Sequence, residues 1–309
     1  MIRKDQLPDI WGDNWQCSAP LKVLDTIRGE STPMVIVDEE NYKLFRINPT
    51  EGYTPLAGNN DNLEIVIDER SSLDLYHLQF MNNERNTKLN ITMRAGARLR
   101  LCTVTLGGQR VRNNIAIRMV GEGCELEANG LYLMDRDQEC DNYIFVEHAT
   151  PHCTSRTLYK GIIDDAARAR FNGHVLVQDG AVKTEAYQTN RNILLTDKAH
   201  VDTRPFLEIY NDDVKCSHGS TIGQLDEQAL FYLRSRGISQ RTAVTMLSYA
   251  FCDEVVRSIA VPQLRDTVAD MVKKRLHGEL SASCDDCAIK CTTPCNGEDS
   301  NFVIDTSQL

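Results

Sequence analysis

From residue 63 to about residue 215, short segments of alternating apolar and polar residues follow one another with only turns between them. Residues 63–67 (LEIVI), 89–93 (LNITM) and 115–119 (IAIRM) show the alternation that is typical of half-buried β-strands. No long amphipathic helix interrupts the series, which argues against parallel strands joined by helical crossovers.

Within this region a small residue follows a turn at five places, after which the alternation resumes. The five elements are 97–101 (ARLRL), 124–128 (CELEA), 167–171 (ARARF), 181–184 (AVKT) and 199–203 (AHVDT). Their steps of about 15 to 45 residues fit one or two turns of a coil with variable loops. The sequence therefore predicts a mainly β protein built as a β-helix (β-solenoid), with an antiparallel sandwich as the alternative.

A helical region follows the predicted coil. Asp226 and Ser239 are placed to cap two helices, and Pro262 to open a third. Leu230, Phe231 and Leu233 fall on the apolar side of the first helix. Since a coil cannot bury its last turn alone, we expect this C-terminal α-helical subdomain to cover one end of the stack.

The strand pattern changes to the helix pattern within residues 203–238, and a thiol and an imidazole lie at the changeover. Cys216 and His218 are two residues apart, and in an extended segment such residues point to the same face. Soft thiolate and imidazole donors suit iron and its sulfide clusters. From spacing alone, a buried thiol and a histidine bonded to backbone at a turn is the simpler interpretation.

This stretch resembles the SufB/SufD family of iron–sulfur cluster assembly scaffolds, and in particular its SufD-like members. The matching segments are 205–209 (PFLEI), 212–219 (DDVKCSHG) and 230–238 (LFYLRSRGI). The similarity continues back through residues 188–195 and 160–161 and covers roughly residues 75 to 260. A run of this length is far more specific than an isolated CxH motif.

The resemblance implies a right-handed parallel β-helix and a non-catalytic role as a scaffold subunit of a SUF-type complex, with transient iron–sulfur clusters. It implies that His218, with Cys216 beside it, lies at the scaffold interface and serves nascent-cluster assembly. The implied partners are a SufC-like ABC ATPase, a SufB-like paralogue or a second copy of the chain, and a sulfur donor. The helical subdomain is then the ATPase-docking part, through Phe231, Tyr232, Arg234 and Arg236.

Three departures from the family pattern bear on which type of scaffold subunit the chain resembles. SufB-like proteins carry an essential cysteine in the segment that matches residues 188–192 (QTNRN), and this chain has none there. Gly219 stands where the SufB-type pair has a glutamate after its histidine. Both differences fit a SufD-type subunit that needs a cysteine-bearing partner. The region before the coil is also short, which is compatible with a pared-down homodimeric form.

Four of the eleven cysteines cluster near the C-terminus, at Cys284, Cys287, Cys291 and Cys295. A CxxC pair places two thiolates on one ion with little strain, and four thiolates suffice for zinc or an iron–sulfur cluster. The alternative is a tail with reducible disulfides. The resemblance does not extend to this segment, so a metal-binding or metal-transfer module is a separate hypothesis.

A second group of possible metal ligands consists of Cys140, His148, His152 and Cys153. The HxxxHC spacing can chelate a metal. A histidine held by hydrogen bonds within the coil is the preferred interpretation of this segment.

Composition argues against several other functions. The net charge of −10 opposes binding to nucleic acid or to anionic membranes. No apolar run approaches the roughly 18 residues of a membrane span, and the first residues lack a secretion signal, so we expect a cytoplasmic protein. No GxxxxGK[ST] loop occurs, so ATP hydrolysis would belong to a partner. A β-helix enzyme acting on acidic polysaccharide is the remaining enzymatic alternative, and it needs carboxylates and a basic residue clustered on the flank of the coil.

These observations divide the chain into four predicted segments. Residues 1–60 form a short entry segment with strands at 34–38 and 43–47, and residues 61–222 form the β-helix core. Residues 223–280 form the helical, ATPase-docking subdomain, and residues 281–309 form the cysteine-rich tail.

Overall fold

The structure is a computed structural model that describes residues 34–37, 42–48, 60–79 and 84–277. Within these ranges the chain forms fourteen β-strands followed by three α-helices. The strands are β1 (Met34–Val37), β2 (Tyr42–Asn48), β3 (Asn60–Ile67), β4 (Ser72–Gln79), β5 (Arg85–Met93), β6 (Arg98–Thr105), β7 (Arg110–Met119), β8 (Glu125–Met134), β9 (Glu139–His148), β10 (Thr154–Ile163), β11 (Arg168–Val177), β12 (Thr184–Leu194), β13 (His200–Ile209) and β14 (Val214–Gly223). The helices are α1 (Glu227–Ser235), α2 (Gln240–Arg257) and α3 (Pro262–His277).

Successive strands alternate between two sheets of seven strands each. The odd-numbered strands form one sheet, here the odd sheet, and the even-numbered strands form the other, the even sheet. Every pairing is parallel, so each rung of the coil consists of one strand from each sheet. The predicted parallel β-solenoid with a C-terminal helical subdomain is therefore confirmed, and the fold is not an antiparallel sandwich.

In-register stacking of inward-facing side chains builds the main core. Ile65, Ile91 and Ile117 occupy one column of the odd sheet and are at most 1% exposed. Burial of each such side chain contributes about 1.5–3 kcal/mol. The small residues predicted after turns lie at the corners between the sheets, where Ala97 and Cys124 are fully buried.

The corners bring backbone of successive rungs very close together. At the β7–β8 corner, a Cβ added to Gly121 would lie 1.9 Å from the backbone nitrogen of Ala95 on the rung before. Only glycine fits such an approach, so this position maintains the spacing of the rungs.

Polar side chains in the interior are bonded to one another across rungs. The amide of Gln79 donates to Asn113 at 3.0 Å and accepts from the hydroxyl of Thr105 at 2.7 Å. Asn113 in turn donates to Asn142 at 2.9 Å. Because a buried amide without partners is costly, this network favours a single register of the rungs.

Each helix begins where the sequence predicts. The carboxylate of Asp226 accepts from the N–H groups of the first turn of α1, and Ser239 caps α2 through the N–H of Thr242. Pro262 is the first residue of α3.

The helices do not cover the end of the solenoid, which corrects the expectation from the sequence. Helices α2 and α3 instead pack against the outer face of the even sheet and form a second apolar core there. The reason is that the second halves of the even strands are buried on both faces and their outward-facing residues are mostly apolar, so the outer face also needs a cover. The outer residues include Tyr76, Leu78, Val104, Leu131 and Leu133, and the helical ones Val255, Val256, Leu264 and Val268.

A buried lysine holds α2 on the sheet. The side chain of Lys160 is 5% exposed, and its Nζ pairs with Glu254 at 2.5 Å. The same nitrogen donates to the carbonyl oxygen of Phe251 at 2.9 Å and lies 4.7 Å from the centre of that ring. The hydrogen bond from Lys160 lowers the pKa of Glu254. This group of contacts anchors the helical subdomain to the middle of the solenoid.

The sheets extend into the predicted entry segment. The two strands expected there are confirmed as β1 and β2, which pair with β3 and β4. The boundaries of the four predicted segments stay predictions, and the tail at residues 281–309 lies outside the described residues.

Candidate functional site

The solenoid ends in β13 and β14, which lie at the edges of the two sheets. We call this pair of strands the terminal rung. In the part of the chain that the structure describes, no strand pairs with either of them on its outer side. Edges of this kind are templates for pairing with another chain.

Cys216 and His218 lie on the same, inward-facing side of β14. Register places Cys216 next to Ala186 of β12 and His218 next to Gln188, both of which are buried. The hydroxyls of Thr203 and Ser220, 2.8 Å apart, link the two strands of the terminal rung across the interior. The thiol and the imidazole therefore point into the interior of the last described rung.

The two side chains differ in exposure. Cys216 is half-buried and packs against the main core, and burial raises the pKa of its thiol above the ordinary value. His218 is exposed. Cys216 is therefore a half-buried thiol that favours its protonated form, and His218 beside it is exposed. Another chain or a metal ion can reach this pair.

The floor below this pair is the inward face of β12, which is polar. Gln188 is 1% exposed, and Asn190 and Asn192 are bonded to each other at 2.7 Å. These residues belong to the segment in which SufB-like proteins are expected to carry a cysteine. Here the rung next to His218 supplies amides and no thiol.

Exposed apolar side chains lie on the two strands of the terminal rung and at the turn between them. Ile209 and Ile222 face inward on the terminal rung, yet they are 40% and 46% exposed because no described rung follows. Phe206, which faces outward on β13, and Tyr210, which directly follows that strand, are also exposed. In the sequence, Phe206 and Ile209 stand out only as part of the family-like segment 205–209, and neither Tyr210 nor Ile222 was predicted to be exposed. The available signal was an inward-facing apolar residue in the last strand before the helices.

Helix α1 continues this exposed surface. It has no buried residue, and Phe231, expected on its apolar side, is 73% exposed. Tyr232 is 56% exposed and accepts a hydrogen bond at its hydroxyl from Arg236 at 3.2 Å. Arg234 is also exposed. Three of the four predicted docking residues thus lie on one unburied helix, and Arg236 is its C-cap.

Carboxylates and basic residues of the kind that the polysaccharide-enzyme alternative needs do lie on the flank of the coil, but they pair with one another. A cleft of about 270 Å³ on the odd sheet is lined by Arg112, Asp141, Arg170 and Asp202, which occupy successive rungs. Neighbouring charges in this column are 3.4, 3.6 and 3.7 Å apart. Alternating charges in register stabilise the stacking of strands, so the column has a structural explanation.

Two further groups of candidate metal ligands were predicted from the sequence. Those among the described residues do not form a metal site. Cys284, Cys287, Cys291 and Cys295 lie outside the described residues, so their role stays a prediction. Among the described residues, no group of three or more histidine, cysteine or acidic side chains is arranged to hold a metal ion.

The HxxxHC segment is divided between the interior and the surface. Cys140, His148 and Cys153 are buried, and the Nε2 atom of His148 lies 2.8 Å from the hydroxyl of Ser155. His152 points outward at a corner, 3.8 Å from a carboxylate oxygen of Glu122. This arrangement supports the interpretation of His148 as a residue held by hydrogen bonds within the coil.

Taken together, fold and site define a β-solenoid protein whose soft donors lie on an open terminal rung beside exposed apolar residues. Over residues 28–251 the sequence matches the family described as SUF system FeS cluster assembly, SufBD core domain, and the chain belongs to that family. It is a SufD-like member.

Curated relatives support this assignment. The chain is 43% identical over 173 residues to the iron–sulfur cluster assembly protein SufD of Escherichia coli, covering 56% of this chain and 41% of the relative. It is 35% identical over 226 residues to a SufBD family protein of Mycobacterium tuberculosis, covering 70% and 57%. A SufBD family protein of Synechocystis is 34% identical over 218 residues, covering 71% and 46%. The chain spans about half the length of the curated relatives that it matches.

None of the helices in the described ranges has the length and apolar character that a membrane span requires.

Proposed function

We propose that this chain is a scaffold subunit of a SUF-type iron–sulfur cluster assembly complex, acting in the cytoplasm and not as an enzyme. One observation supports this proposal most strongly. The terminal rung of a SufBD-family solenoid leaves Cys216, His218 and the inward-facing Ile222 uncovered. Such an end is suited to a second scaffold chain, which would bury the isoleucine and close a chamber around the two donors.

The second chain is a SufB-like paralogue or another copy of this chain. Pro205 removes one backbone donor from β13, whereas β14 contains no proline and offers the longer continuous edge. Pairing along β14 would bring the partner's strand next to Cys216 and His218. Backbone hydrogen bonds would provide much of the affinity and the apolar residues would complete the interface.

The two donors in this chamber are suited to binding an iron–sulfur cluster temporarily. Imidazole and thiolate are suitable donors for iron, and a site with few ligands from each subunit releases its cluster readily. Because residues 188–192 contain no cysteine, the further thiolates and the sulfide would come from the partner and a sulfur donor. The cluster is the cargo of this site.

An ABC-type ATPase would dock on the helical subdomain. Phe231 and Tyr232 provide an exposed apolar surface, and Arg234 and Arg236 add positive charge beside it. Since α2 is anchored to the solenoid through Lys160, movement of the ATPase can be transmitted from the helices to the sheets.

Recovery of the tagged chain from its native cell tests the partnership. We expect an ABC ATPase to be recovered with it, together with a SufB-like subunit or a second copy. Isolation of the chain alone, as a monomer, would count against the proposal.

Replacement of His218→Ala tests the site itself. We expect cells that depend on the variant to lose most activity of their iron–sulfur enzymes, while the variant chain folds and unfolds like the parent. Ser217→Ala, on the adjacent outward face of β14, is the matched control and should keep full activity. Equal activity of the two variants would remove His218 from the assembly site.

A further inference from the structure

A cavity of about 430 Å³ lies between the even sheet and helices α2 and α3, and none of its lining residues belongs to the terminal rung. Its floor is aliphatic and its roof is one face of α2. The floor includes Leu133, Ile162 and Leu195, and the roof includes Val244, Thr245 and Ser248. The volume falls in the range of about 300–1,000 Å³ that is usual for small-molecule sites.

Two hydroxyl groups in the roof have unused hydrogen-bonding capacity. Thr245 is 7% exposed and Ser248 is 1% exposed, and neither hydroxyl has a hydrogen-bond partner among the described residues. Serine and threonine within helices often bond to the carbonyl four residues earlier, but these two do not. A buried hydroxyl without a partner is destabilising, so the cavity favours an occupant that can accept a hydrogen bond from each of them.

The charged groups of the wall balance one another. Arg275 pairs with Asp135 at 2.5 Å, and Arg241 donates to the backbone carbonyl of His277 at 3.1 Å. Asp164 is the fourth charged residue of the lining, and burial raises its pKa. With two guanidinium groups and two carboxyl groups around the opening, the cavity does not favour a ligand of either charge.

We propose that this cavity binds a small, uncharged and mainly apolar molecule with a carbonyl or similar acceptor group that takes the hydroxyl hydrogens of Thr245 and Ser248. The floor belongs to the solenoid and the roof to the helical subdomain, so such a ligand contacts both. Binding would therefore stabilise the helices on the sheet by mass action. This inference does not depend on the proposed assembly function.

The ketone dye 6-propionyl-2-(dimethylamino)naphthalene is a suitable probe, because it is uncharged and carries one acceptor oxygen. Its emission moves to longer wavelength when that oxygen accepts a hydrogen bond. Titrated into the full chain, the dye should bind saturably with one equivalent per chain. Absence of saturable binding would overturn the proposal.

Two cavity variants locate the dye. Val244→Trp fills the space and should weaken binding at least about tenfold, the effect of some 1.4 kcal/mol. The double variant Thr245→Val/Ser248→Ala keeps the shape and removes both donors. We expect it to weaken binding about tenfold, since both hydrogen bonds to the acceptor are lost, and to move the emission to shorter wavelength.

Controls separate the cavity from other apolar surfaces and from misfolding. Phe206→Ser and Phe231→Ser remove exposed aromatic residues where a dye could adhere, and both should bind it normally. Without dye, the double variant should unfold at the same or a higher temperature, because two unpaired buried hydroxyls are gone. Unchanged affinity and emission in the double variant, or loss of binding in the aromatic controls, would contradict the assignment.

Discussion

Side chains of the terminal rung are in register with those of the central rungs, but they are much less buried. Val177 of β11 is fully buried, whereas its neighbour in register, Ile209 of β13, is 40% exposed. Gln188 is 1% exposed, whereas His218, one rung further, is exposed. A side chain in this fold is thus buried by the rung that follows it as much as by its own.

This comparison separates stability from interaction within one repeating architecture. The central rungs gain their free energy of folding from stacking, which the chain provides itself. The terminal rung presents the same inward face, with apolar residues, but no described rung covers it, and we propose that another chain does. Residues there should contribute little to the stability of the isolated chain and much to association.

The largest expected contrast is between two phenylalanines on neighbouring strands. Phe171→Ala removes a fully buried ring from β11 and should cost about 3–5 kcal/mol of unfolding free energy. Phe206→Ala, on β13, removes a ring that is 55% exposed and should change stability by less than about 0.5 kcal/mol. Denaturant unfolding of the dilute chain measures both. A comparable loss for the two variants would mean that the terminal rung is already covered.

The next contrast is between two lysines. Lys160→Met retains the apolar stem but leaves the carbonyl of Phe251 and the carboxylate of Glu254 without their partner. Since Glu254 is 53% exposed and therefore screened by water, the expected cost is about 1–2 kcal/mol. Lys215 of the terminal rung forms a surface pair with Glu185. Lys215→Met breaks this pair and should not change stability measurably. Equal effects of both variants would show that Lys160 does not anchor α2.

A structural feature can be predicted from the sequence when residues close together in the chain form it. Period-two alternation and small residues at corners predict the solenoid because each rung is formed by neighbouring residues. Cap residues such as Asp226 and Ser239 likewise predict the helix starts. The common face of Cys216 and His218 follows from their spacing in a strand.

Contacts between distant elements could not be predicted in this way. The outer stripe that receives α2 and α3 is contributed in small parts by separate strands, through residues such as Leu78, Val104 and Leu131. Each strand alone looks like an ordinary buried segment, so the helices were expected at the end of the coil. The unpaired hydroxyls of Thr245 and Ser248 likewise could not be predicted from the sequence, because their burial depends on the sheet beneath them.

A smaller effect on stability is expected from the inward-facing isoleucine of β14. Ile222→Ser should cost less than about 1 kcal/mol in the isolated chain, because the side chain is 46% exposed. It should nevertheless weaken association with the second scaffold chain, which sedimentation or light scattering can measure. Val177→Ser, at an inward-facing and fully buried position of the central strand β11, is the comparison variant and should destabilise the fold strongly. If Ile222→Ser left association unchanged, the terminal rung would not be the interface.

The mildest test modifies the accessible thiol of β14 and leaves the fold intact. Of the six described cysteines, Cys216 alone is not buried, so iodoacetamide should react with it well before Cys102, Cys140 or Cys252. The thiolate is the reactive form and burial raises the pKa of Cys216 above its ordinary value. The thiol form therefore dominates at neutral pH, and the rate should rise about tenfold for each pH unit below that pKa. Peptide mapping by mass spectrometry identifies the modified residue. Binding of the second scaffold chain should protect Cys216 and leave the buried thiols as slow as before, whereas unprotected reaction within the complex would place the interface elsewhere.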